Sequence, residues 1–150
     1  MSVKIQRASI KHLDKLYEIE MECFKNEAFT KQQVARSLID HNSTGLIAEL
    51  NGEIAGFVIG KTHRKWKSAT GHILTIDVSP KYRRKGIELR LLQEIERIFK
   101  DKGVSVCFLE SREDNIAALN LYQTFGYREV ARLEHYYGNS HGVHLKKKLT

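Results

Sequence analysis

The sequence predicts an α/β protein that has a central mixed, mostly antiparallel sheet of about six or seven strands and about four helices. Two observations predict this class. Short apolar runs that suit buried strands alternate with segments of helical periodicity, and Asn51-Gly52 separates two of these runs. Pro80 is the only proline, so the sequence has no proline-rich hinge. An Asn-Gly pair supplies the positive φ angles of a tight hairpin. The length of 150 residues predicts a single domain over residues 1–150.

The elements follow in the order β-α-α-β-β-β-α-β-α-β-β, and this order predicts helices on both faces of the sheet. Apolar and β-branched runs predict seven strands: Val3–Ala8, Gly45–Leu50, Ile54–Lys61, His72–Val78, Val104–Glu110, Arg128–Leu133 and Val143–Leu149. Apolar residues at helical spacing predict four helices: Leu13–Phe24, 31–40, Gly86–Lys102 and Ile116–Phe125.

Polar residues and glycines mark the ends of these helices. Ser9 is the expected cap of the first helix, and Asn115 is the expected cap of the fourth. Thr30 and Gln33 predict a capping box, in which each side chain accepts a hydrogen bond from the backbone N–H group of the other residue. Two helices are expected to end at glycines, Gly103 and Gly126.

The chain is basic, with a net charge of +7. No apolar run approaches the roughly 20 residues that span a bilayer, and the charged N-terminal segment excludes a signal peptide. We therefore expect a cytoplasmic protein without membrane contacts. The charge favours anionic partners. However, the two basic clusters, Lys61–Lys67 and Lys146–Lys148, fit exposed strand ends better than any nucleic-acid motif, so a nucleic acid is not the expected partner.

The cysteines and histidines do not have the spacing of metal ligands. Cys23 and Cys107 lie far apart in apolar patterns, which predicts buried free thiols. His141 and His144 would face opposite sides if both lay on the last strand, and His72 is expected at the start of a strand. We predict no metal site.

One turn predicts a site for an anion. Arg83, Arg84, Lys85 and Gly86 follow an apolar strand and directly precede the third helix. The start of a helix presents unpaired backbone N–H groups and the positive end of the helix dipole, and both attract phosphate. Glycine lets an anion approach the backbone closely. This segment therefore predicts a binding site for a phosphate group.

Several blocks of sequence, in order and at the right spacing, resemble the GNAT family of acyl-CoA-dependent N-acyltransferases. His72–Val78 resembles the central strand of that family, and Arg83–Glu88 resembles its pyrophosphate motif, R/Q-x-x-G-x-G/A. Leu109–Arg112 resembles the L-E-V-R segment of the RimI-like branch. Asn115–Tyr127 resembles N-x-A-A-x-x-L-Y-x-x-x-G-F, and Tyr136-Tyr137 matches a tyrosine pair before the last strand. The chain is similar to RimI-like and archaeal N-terminal protein acetyltransferases.

This resemblance implies that acetyl-CoA is the cosubstrate and that an amine attacks its thioester directly. It assigns cofactor contacts to the central strand, to the basic turn and to the start of the third helix: Ile76, Asp77, Val78, Arg83, Arg84, Lys85, Gly86, Ile87, Glu88 and Leu89. Asn115 and Tyr122 are two further cofactor contacts. In the central strand the backbone is expected to act, whereas the side chains of Ile76 and Val78 are expected in the core.

The resemblance also implies two catalytic residues and a substrate slot. Glu110 matches the position of the general base, and burial is expected to raise the pKa of its carboxyl. Tyr122 matches the tyrosine that protonates the leaving thiolate. The residues expected to contact the substrate are aromatic: Phe24, Phe29, Tyr136 and Tyr137.

Glu88 is a departure from the family, which has glycine or alanine there. A carboxylate that turns inward would repel the pyrophosphate, whereas one that turns outward lies favourably at the positive end of the helix, and we expect the outward orientation. The expected acceptor is the N-terminal α-amine of a protein or peptide, with a ribosomal protein as one candidate, and the expected assembly is a monomer or homodimer. The alternatives are a small amine, a polyamine or a lysine side chain as acceptor, or a non-enzymatic CoA- or RNA-binding module.

Overall fold

The computed structural model describes residues 2–150, in which seven strands and four α-helices follow one another in the predicted order. The strands are β1 (Val3–Arg7), β2 (Ser43–Leu50), β3 (Glu53–Lys65), β4 (Ser68–Val78), β5 (Val106–Arg112), β6 (Arg128–Leu133) and β7 (Gly142–Lys148). The helices are α1 (Leu13–Phe24), α2 (Lys31–Ile39), α3 (Ile87–Asp101) and α4 (Ile116–Thr124). Short 3-10 turns occupy Ile10–His12, Lys25–Glu27 and Pro80–Tyr82.

The strands hydrogen-bond in the order β1-β2-β3-β4-β5-β7-β6. The pairs β1·β2, β2·β3, β5·β7 and β6·β7 are antiparallel, whereas β4 and β5 are parallel. The predicted α/β class, with a mixed and mostly antiparallel sheet, is confirmed. Contacts group the described residues into two compact units, and strands β3 and β4 contribute residues to both. The first unit runs to Lys61 and includes Leu74–Ile98, and the second comprises Thr62–Ile73 and Phe99–Thr150.

The first unit has a core between its helices and the β2–β3 hairpin. The cluster that joins α1, α2 and the two strands consists of Leu16, Ile19, Val34, Ile47, Phe57 and Ile59. Leu46 and Val58 point to the opposite face of the strands, because side chains alternate along a strand, and they are equally buried. Both faces of this hairpin are therefore covered by protein, as expected for a sheet inside a layered fold.

The second unit is built on the antiparallel pairing of β5 with β7. Leu109 faces Leu145 across this ladder, and both side chains are buried. Glu110 faces His144 at the next position, so these two side chains share the other face of the pair. Gly71 on β4 lies against Phe99, whose ring atoms would be only 2.6 Å from an added Cβ atom. The absence of a side chain at Gly71 thus lets Phe99 pack on the strand.

The predicted helix caps and the hairpin turn are confirmed in their main features. Thr30 Oγ1 accepts from Gln33 N at 3.1 Å, and Gln33 Oε1 accepts from Thr30 N at 2.8 Å. Asn115 Oδ1 accepts from Ala118 N at 3.2 Å. The turn at Asn51-Gly52 has the expected positive φ angles of 54° and 81°. Ser9 is a correction, because it precedes the 3-10 turn Ile10–His12 rather than α1 itself.

The β3–β4 hairpin is longer than the sequence predicts. Strand β3 extends to Lys65 and β4 begins at Ser68, so His72 lies inside a strand and not at its start. The basic cluster Lys61–Lys67 forms the exposed end of this hairpin, as predicted, and Trp66 at its tip is 98% exposed. The residues of this stretch are mostly polar and do not alternate with apolar ones, so the sequence gives no strand pattern there. Hydrogen bonds between β3 and β4 form the strands in this stretch.

Both cysteines are free, but only Cys107 is buried, and Cys23 is half-buried. Among residues 2–150 no helix is long and apolar enough to cross a membrane. The single domain and the cytoplasmic location stay predictions.

A close approach of two backbones makes Gly56 a sensitive position. A Cβ atom at Gly56 would lie 2.5 Å from the carbonyl oxygen of Asp77, which is backbone and cannot rotate away. We expect Gly56→Ala to lower the free energy of unfolding by about 1–3 kcal/mol, measured by urea denaturation. Gly45→Ala is the matched control, since its Cβ atom would meet only side-chain atoms, at 3.2 and 3.3 Å. Equal losses at the two positions would contradict this account.

Candidate active site

The carboxylate of Glu110 lies between two histidines in the second unit. Glu110 Oε1 is 2.6 Å from Nε2 of His72, and Oε2 is 2.8 Å from Nδ1 of His144. The Glu110 side chain is only 14% exposed. This His72–Glu110–His144 group joins three strands, β4, β5 and β7.

Strand register explains why these three side chains meet. His72 pairs with Phe108 in the parallel β4–β5 ladder, two residues before Glu110 on the same face of β5. His144 is opposite Glu110 in the antiparallel β5–β7 ladder. The ring of His144 also stacks on Phe108, with centroids 5.1 Å apart and planes 10° apart, which fixes the imidazole. The histidines are far apart in the sequence, so spacing along the chain did not reveal the group.

The pKa of Glu110 moves in the direction opposite to the predicted one. Burial favours the neutral acid and raises the pKa, but the hydrogen bonds and charges of His72 and His144 together outweigh burial and lower it. Glu110 therefore stays ionised at neutral pH. The expectation that burial would make Glu110 a stronger base is wrong, because sequence reasoning did not place two imidazoles against the carboxylate.

The two imidazoles give this group its capacity to accept a proton. In a neutral imidazole one nitrogen is a donor and the other an acceptor. A carboxylate accepts only, so Glu110 selects the tautomers in which Nε2 of His72 and Nδ1 of His144 carry the hydrogen. Nδ1 of His72 and Nε2 of His144 are then the basic atoms. The carboxylate also stabilises the imidazolium that forms when either atom is protonated.

Helix α4 carries the two other predicted residues of this unit. Tyr122 is buried, and its ring makes an edge contact with the ring of Tyr127, with centroids 6.2 Å apart. Asn115 caps the same helix, so the cap role of Asn115 is confirmed. Its contact with a cofactor stays a prediction.

The predicted tyrosine pair lies in the loop between β6 and β7. The rings of Tyr136 and Tyr137 meet edge to face, with centroids 4.8 Å apart. Tyr136 is 54% exposed, and Glu110 is close enough for its negative charge to raise the pKa of Tyr136, after the larger effect of burial. The structure thus brings Tyr136 near the His72–Glu110–His144 group, as a substrate role would require.

The basic turn of the first unit has the backbone shape that an anion site needs. Arg83, Arg84 and Lys85 are exposed, and both Arg84 and Gly86 have positive φ angles, of 64° and 75°. Arg90 N donates to Gly86 O at 3.1 Å as α3 begins. The amides between Gly86 and Arg90 belong to the first turn of α3, where no preceding turn supplies acceptors. The turn therefore sets the first N–H groups of α3 next to two exposed cationic residues, Arg84 and Lys85.

Glu88 is half-buried in this first turn of α3. Its charge contributes to raising the pKa of Asp77. The outward orientation of the Glu88 carboxylate stays a prediction. The guanidinium of Arg83 turns back toward α1, and Arg83 donates to Val78 O at 3.4 Å and to Cys23 Sγ at 3.8 Å. Burial is the main cause that raises the pKa of Cys23 to about 11, so its thiol stays protonated.

The segment Ile76–Val78 lies at the end of β4. The paired residues of the β4–β5 ladder are Thr70 to His72 on β4, so the backbone of Ile76–Val78 is not part of that ladder. Val78 is in the core, but the side chain of Ile76 is only half-buried, which corrects the expectation that both are core residues. Asp77 is the larger surprise, because its side chain is buried as well as its backbone.

Asp77 belongs to a buried group of polar side chains that the sequence did not reveal. Thr75 hydrogen-bonds both Glu20 on α1 and Asp77. Two signals were present: an acidic residue on the apolar face of α1, and another inside the apolar run Ile73–Val78. The predicted substrate residues Phe24 and Phe29 follow on the chain after Glu20, and both are partly exposed. Among residues 2–150 no group of acidic, histidine or cysteine side chains has the arrangement of a metal site.

The sequence profile of the acetyltransferase (GNAT) family matches residues 13–127. The chain belongs to this family. It is therefore an enzyme, an N-acetyltransferase, and not a binding module alone.

Three individual proteins are similar to this chain. An N-alpha-acetyltransferase of Sulfurisphaera tokodaii is 26% identical over 151 residues, which cover 95% of this chain and 90% of that protein. The ribosomal protein bS18 alanine N-acetyltransferase of Escherichia coli is 34% identical over 92 residues, which cover 61% of this chain and 60% of that protein. The structure of NAA60 from Arabidopsis thaliana, in complex with acetyl-CoA, superposes with a TM-score of 0.86 at 18% identity over 98% of both chains. This last similarity shows the fold.

The charge of Glu88 gives a testable consequence for cofactor binding. A carboxylate that turns inward would repel a bound pyrophosphate, and in that orientation Glu88→Ala and Glu88→Gln would bind acetyl-CoA several-fold more tightly than the unmodified protein, measured by calorimetry. For the outward orientation that we expect, the affinity stays unchanged. Since Gln keeps the volume and removes the charge, equal gains in the two variants identify repulsion as the cause. An unchanged affinity in both would show that the carboxylate does not face the cofactor.

Proposed function

We propose that this enzyme transfers the acetyl group of acetyl-CoA to the N-terminal α-amine of proteins or peptides. The observation that supports this most is the His72–Glu110–His144 group, which can remove a proton from an ammonium group of moderate acidity. An N-terminal amine has a pKa of about 8, whereas a lysine has about 10.4. A base of modest strength therefore suits an α-amine better than a lysine side chain.

In this mechanism the three residues act as one proton acceptor. The α-ammonium group gives a proton, directly or through a water molecule, to the basic nitrogen of His72 or His144. Glu110 holds the acceptor tautomer in place and stabilises the imidazolium with its negative charge. The neutral amine then attacks the thioester carbonyl carbon. Glu110 is thus the anchor of the base, and a histidine receives the proton.

The first unit supplies the residues for the cosubstrate. The basic turn from Arg83 to Gly86 and the first amides of α3 would hold the pyrophosphate of acetyl-CoA. The backbone N–H groups of Ile76–Val78 would bond the pantetheine arm and polarise the thioester carbonyl. Two features support these roles, the positive φ angle at Gly86 and the absence of Ile76–Val78 from the β4–β5 ladder.

Tyr122 would complete the reaction as an acid. When the carbon–sulfur bond breaks, the thiolate of CoA leaves with the electron pair, and the phenol of Tyr122 gives it a proton. The nitrogen of the former amine loses its second proton to solvent as the amide forms, and the phenolate takes a proton back from solvent. The buried ring is held by its contact with Tyr127, so its hydroxyl has a defined direction. Asn115, at the start of the same helix, would bond the pantetheine arm.

The acceptor peptide would be bound by aromatic side chains. Tyr136 and Tyr137 lie in a loop rich in polar residues, where Tyr136 is exposed and Tyr137 is half-buried. Tyrosine hydroxyl groups at such a surface suit the binding of a peptide backbone. Two of the similar proteins are named for acetylation of N-terminal or alanine α-amines, which favours the same class of acceptor.

Removing the charge of Glu110 should have a pH-dependent effect. Because the pKa of Glu110 is lowered, its carboxylate stays ionised between pH 6.5 and pH 8.5 in the unmodified enzyme. We expect Glu110→Gln to lower the turnover rate more at pH 6.5, where the amine must lose a proton, than at pH 8.5. Steady-state kinetics with a peptide acceptor measure this difference. A loss that is the same at both pH values would remove the His72–Glu110–His144 group from the base role.

The acid role of Tyr122 can be separated from cofactor binding. Tyr122→Phe removes the hydroxyl and keeps the ring, so we expect slower turnover with an unchanged dissociation constant for acetyl-CoA. Single-turnover kinetics and calorimetry measure the two quantities. Tyr127→Phe is the matched control, because the Tyr127 hydroxyl lies against Cys107 Sγ at 3.2 Å and has no assigned role in the reaction. A turnover rate at the unmodified level in Tyr122→Phe would reject the acid role.

The class of acceptor is tested with a set of amines. The protein is mixed with acetyl-CoA and with peptides that start with alanine, serine or methionine, each with a free or a blocked N-terminus and an internal lysine, and with spermidine. Release of CoA gives the rate, and mass spectrometry locates the acetyl group. We expect acetylation of free N-termini only. Acetyl groups on lysine or on spermidine, without N-terminal product, would overturn the proposal.

A further inference from the structure

Three buried polar side chains connect strand β4 with the segment that follows α1. Thr75 Oγ1 lies 2.8 Å from Glu20 Oε1 and 2.5 Å from Asp77 Oδ1. Glu20 Oε2 accepts from the backbone N–H group of Phe29 at 3.0 Å. Glu20 is 1% exposed and Asp77 2%. A continuous chain of hydrogen bonds therefore runs from Asp77 through Thr75 and Glu20 to Phe29.

Counting hydrogens shows that one carboxyl of this chain is neutral. The hydroxyl of Thr75 has a single hydrogen and can donate to only one of its two carboxyl neighbours. The other contact needs a carboxyl group that donates to the threonine oxygen. Glu20 Oε2 accepts from Phe29, so the hydrogen lies either on Glu20 Oε1 or on Asp77. Burial raises the pKa of Asp77, and we therefore assign the proton to Asp77, which donates to Thr75, while Thr75 donates to Glu20.

The surroundings of Asp77 agree with this direction. The pKa of Asp77 lies well above its usual value, and burial is the largest cause. The hydrogen bond and the negative charge of Glu20 raise this pKa further, and the charge of Glu88 adds a smaller rise. The hydrogen bond with Thr75 acts in the opposite direction. Among residues 2–150 the second oxygen, Oδ2, has no hydrogen-bond partner. An unpaired carbonyl oxygen of a neutral acid costs far less in a buried place than an unpaired oxygen of a carboxylate.

We propose that Glu20, Thr75 and Asp77 are positioning residues, which hold Phe29 and the segment around it in the place where the acceptor binds. This inference rests on the proposed function. The chain of hydrogen bonds connects two segments of the first unit whose relative positions matter for the proposed reaction. One is the end of β4, with the amides assigned to the thioester, and the other is the partly exposed aromatic Phe29. Thr30, the next residue, caps α2, so the position of Phe29 also sets the start of that helix.

The kinetic test compares two substitutions of Thr75. Thr75→Val keeps the shape and removes the hydroxyl, so both carboxyl contacts are lost. We expect the KM for the peptide acceptor to rise about tenfold or more, while kcat and the dissociation constant of acetyl-CoA change less than about threefold. Thr75→Ser restores the hydroxyl and should restore the KM. An unchanged KM in Thr75→Val, in a folded protein, would overturn the proposal.

Substitutions on α1 provide a matched pair. Glu20→Gln replaces one acceptor oxygen with an NH2 group that can only donate. When the remaining oxygen accepts from Phe29, the Thr75 hydroxyl loses its acceptor and faces two donors, the NH2 group and protonated Asp77, so the KM for the acceptor should rise as in Thr75→Val. Glu18→Gln makes the same chemical change on the exposed face of α1, where Glu18 pairs with Lys15. If Glu18→Gln raises the KM as much as Glu20→Gln, a general effect on α1 explains the result and the proposal fails.

Amide hydrogen exchange tests the positioning without any substrate. In the unmodified protein the hydrogen bond to Glu20 should protect the amide of Phe29, and Thr75→Val should speed its exchange about tenfold, measured by NMR. If no peptide is acetylated, the proposed function fails, but this exchange still decides whether the chain holds Phe29. Unchanged exchange at Phe29 in Thr75→Val would refute the positioning role even in an active enzyme.

The proton on Asp77 has its own signature in stability. Because the pKa of Asp77 is raised on folding, the folded protein keeps a proton that the unfolded chain releases. The contribution of Asp77 to the free energy of unfolding is therefore complete below pH 3.8, the pKa of the unfolded chain, and falls as pH rises toward the pKa of the folded protein. Asp77→Asn cannot titrate. We expect the melting temperature of Asp77→Asn, minus that of the unmodified protein, to increase as pH rises from 4 to 8. A constant difference between the two would show that Asp77 is not the protonated residue.

Discussion

A carboxylate that leaves water must either gain partners that stabilise its charge or keep its proton. The structure uses both solutions. In the second unit, Glu110 is bonded by His72 and His144, and these partners lower its pKa in spite of burial. In the first unit, Asp77 is hydrogen-bonded to Thr75 and lies beside a second carboxylate, Glu20, so it remains a neutral acid. The same cost of burial thus produces a charged anchor in one place and a neutral donor in the other.

These two carboxyl groups explain how the proposed reaction divides its tasks. A buried glutamate with a raised pKa would be a base by itself. Glu110 is ionised instead, so its contribution is to fix and polarise the imidazoles of His72 and His144. Asp77 takes no part in proton transfer in this scheme, because its proton belongs to a hydrogen bond inside the protein. Its effect on the reaction is geometric, through the chain that ends at Phe29.

Local signals made much of the fold predictable. A capping box at Thr30 and a positive φ angle at Gly52 depend on residues within a few positions, and the structure confirms both. The anion-binding turn before α3 is local in the same sense. The extension of the β3–β4 hairpin was missed, because the polar residues at its end, around Trp66, are ordered by pairing between strands and not by an apolar pattern. Sequence reasoning also placed His72 at the start of a strand for this reason.

The sequence by itself determined the order of helices and strands, the family and the position of Glu110 in an apolar strand, because each depends on short segments of the chain. The strand continues to Arg112 and does not end at Glu110 as predicted. Only the tertiary structure decided what surrounds each carboxyl group. The partners of Glu110 come from positions 38 and 34 residues away, and Thr75 lies 55 residues from Glu20. Protonation depends on neighbours in space and on exclusion of water. Neither is written in local sequence, so the direction of the pKa change at Glu110 could only be found after folding.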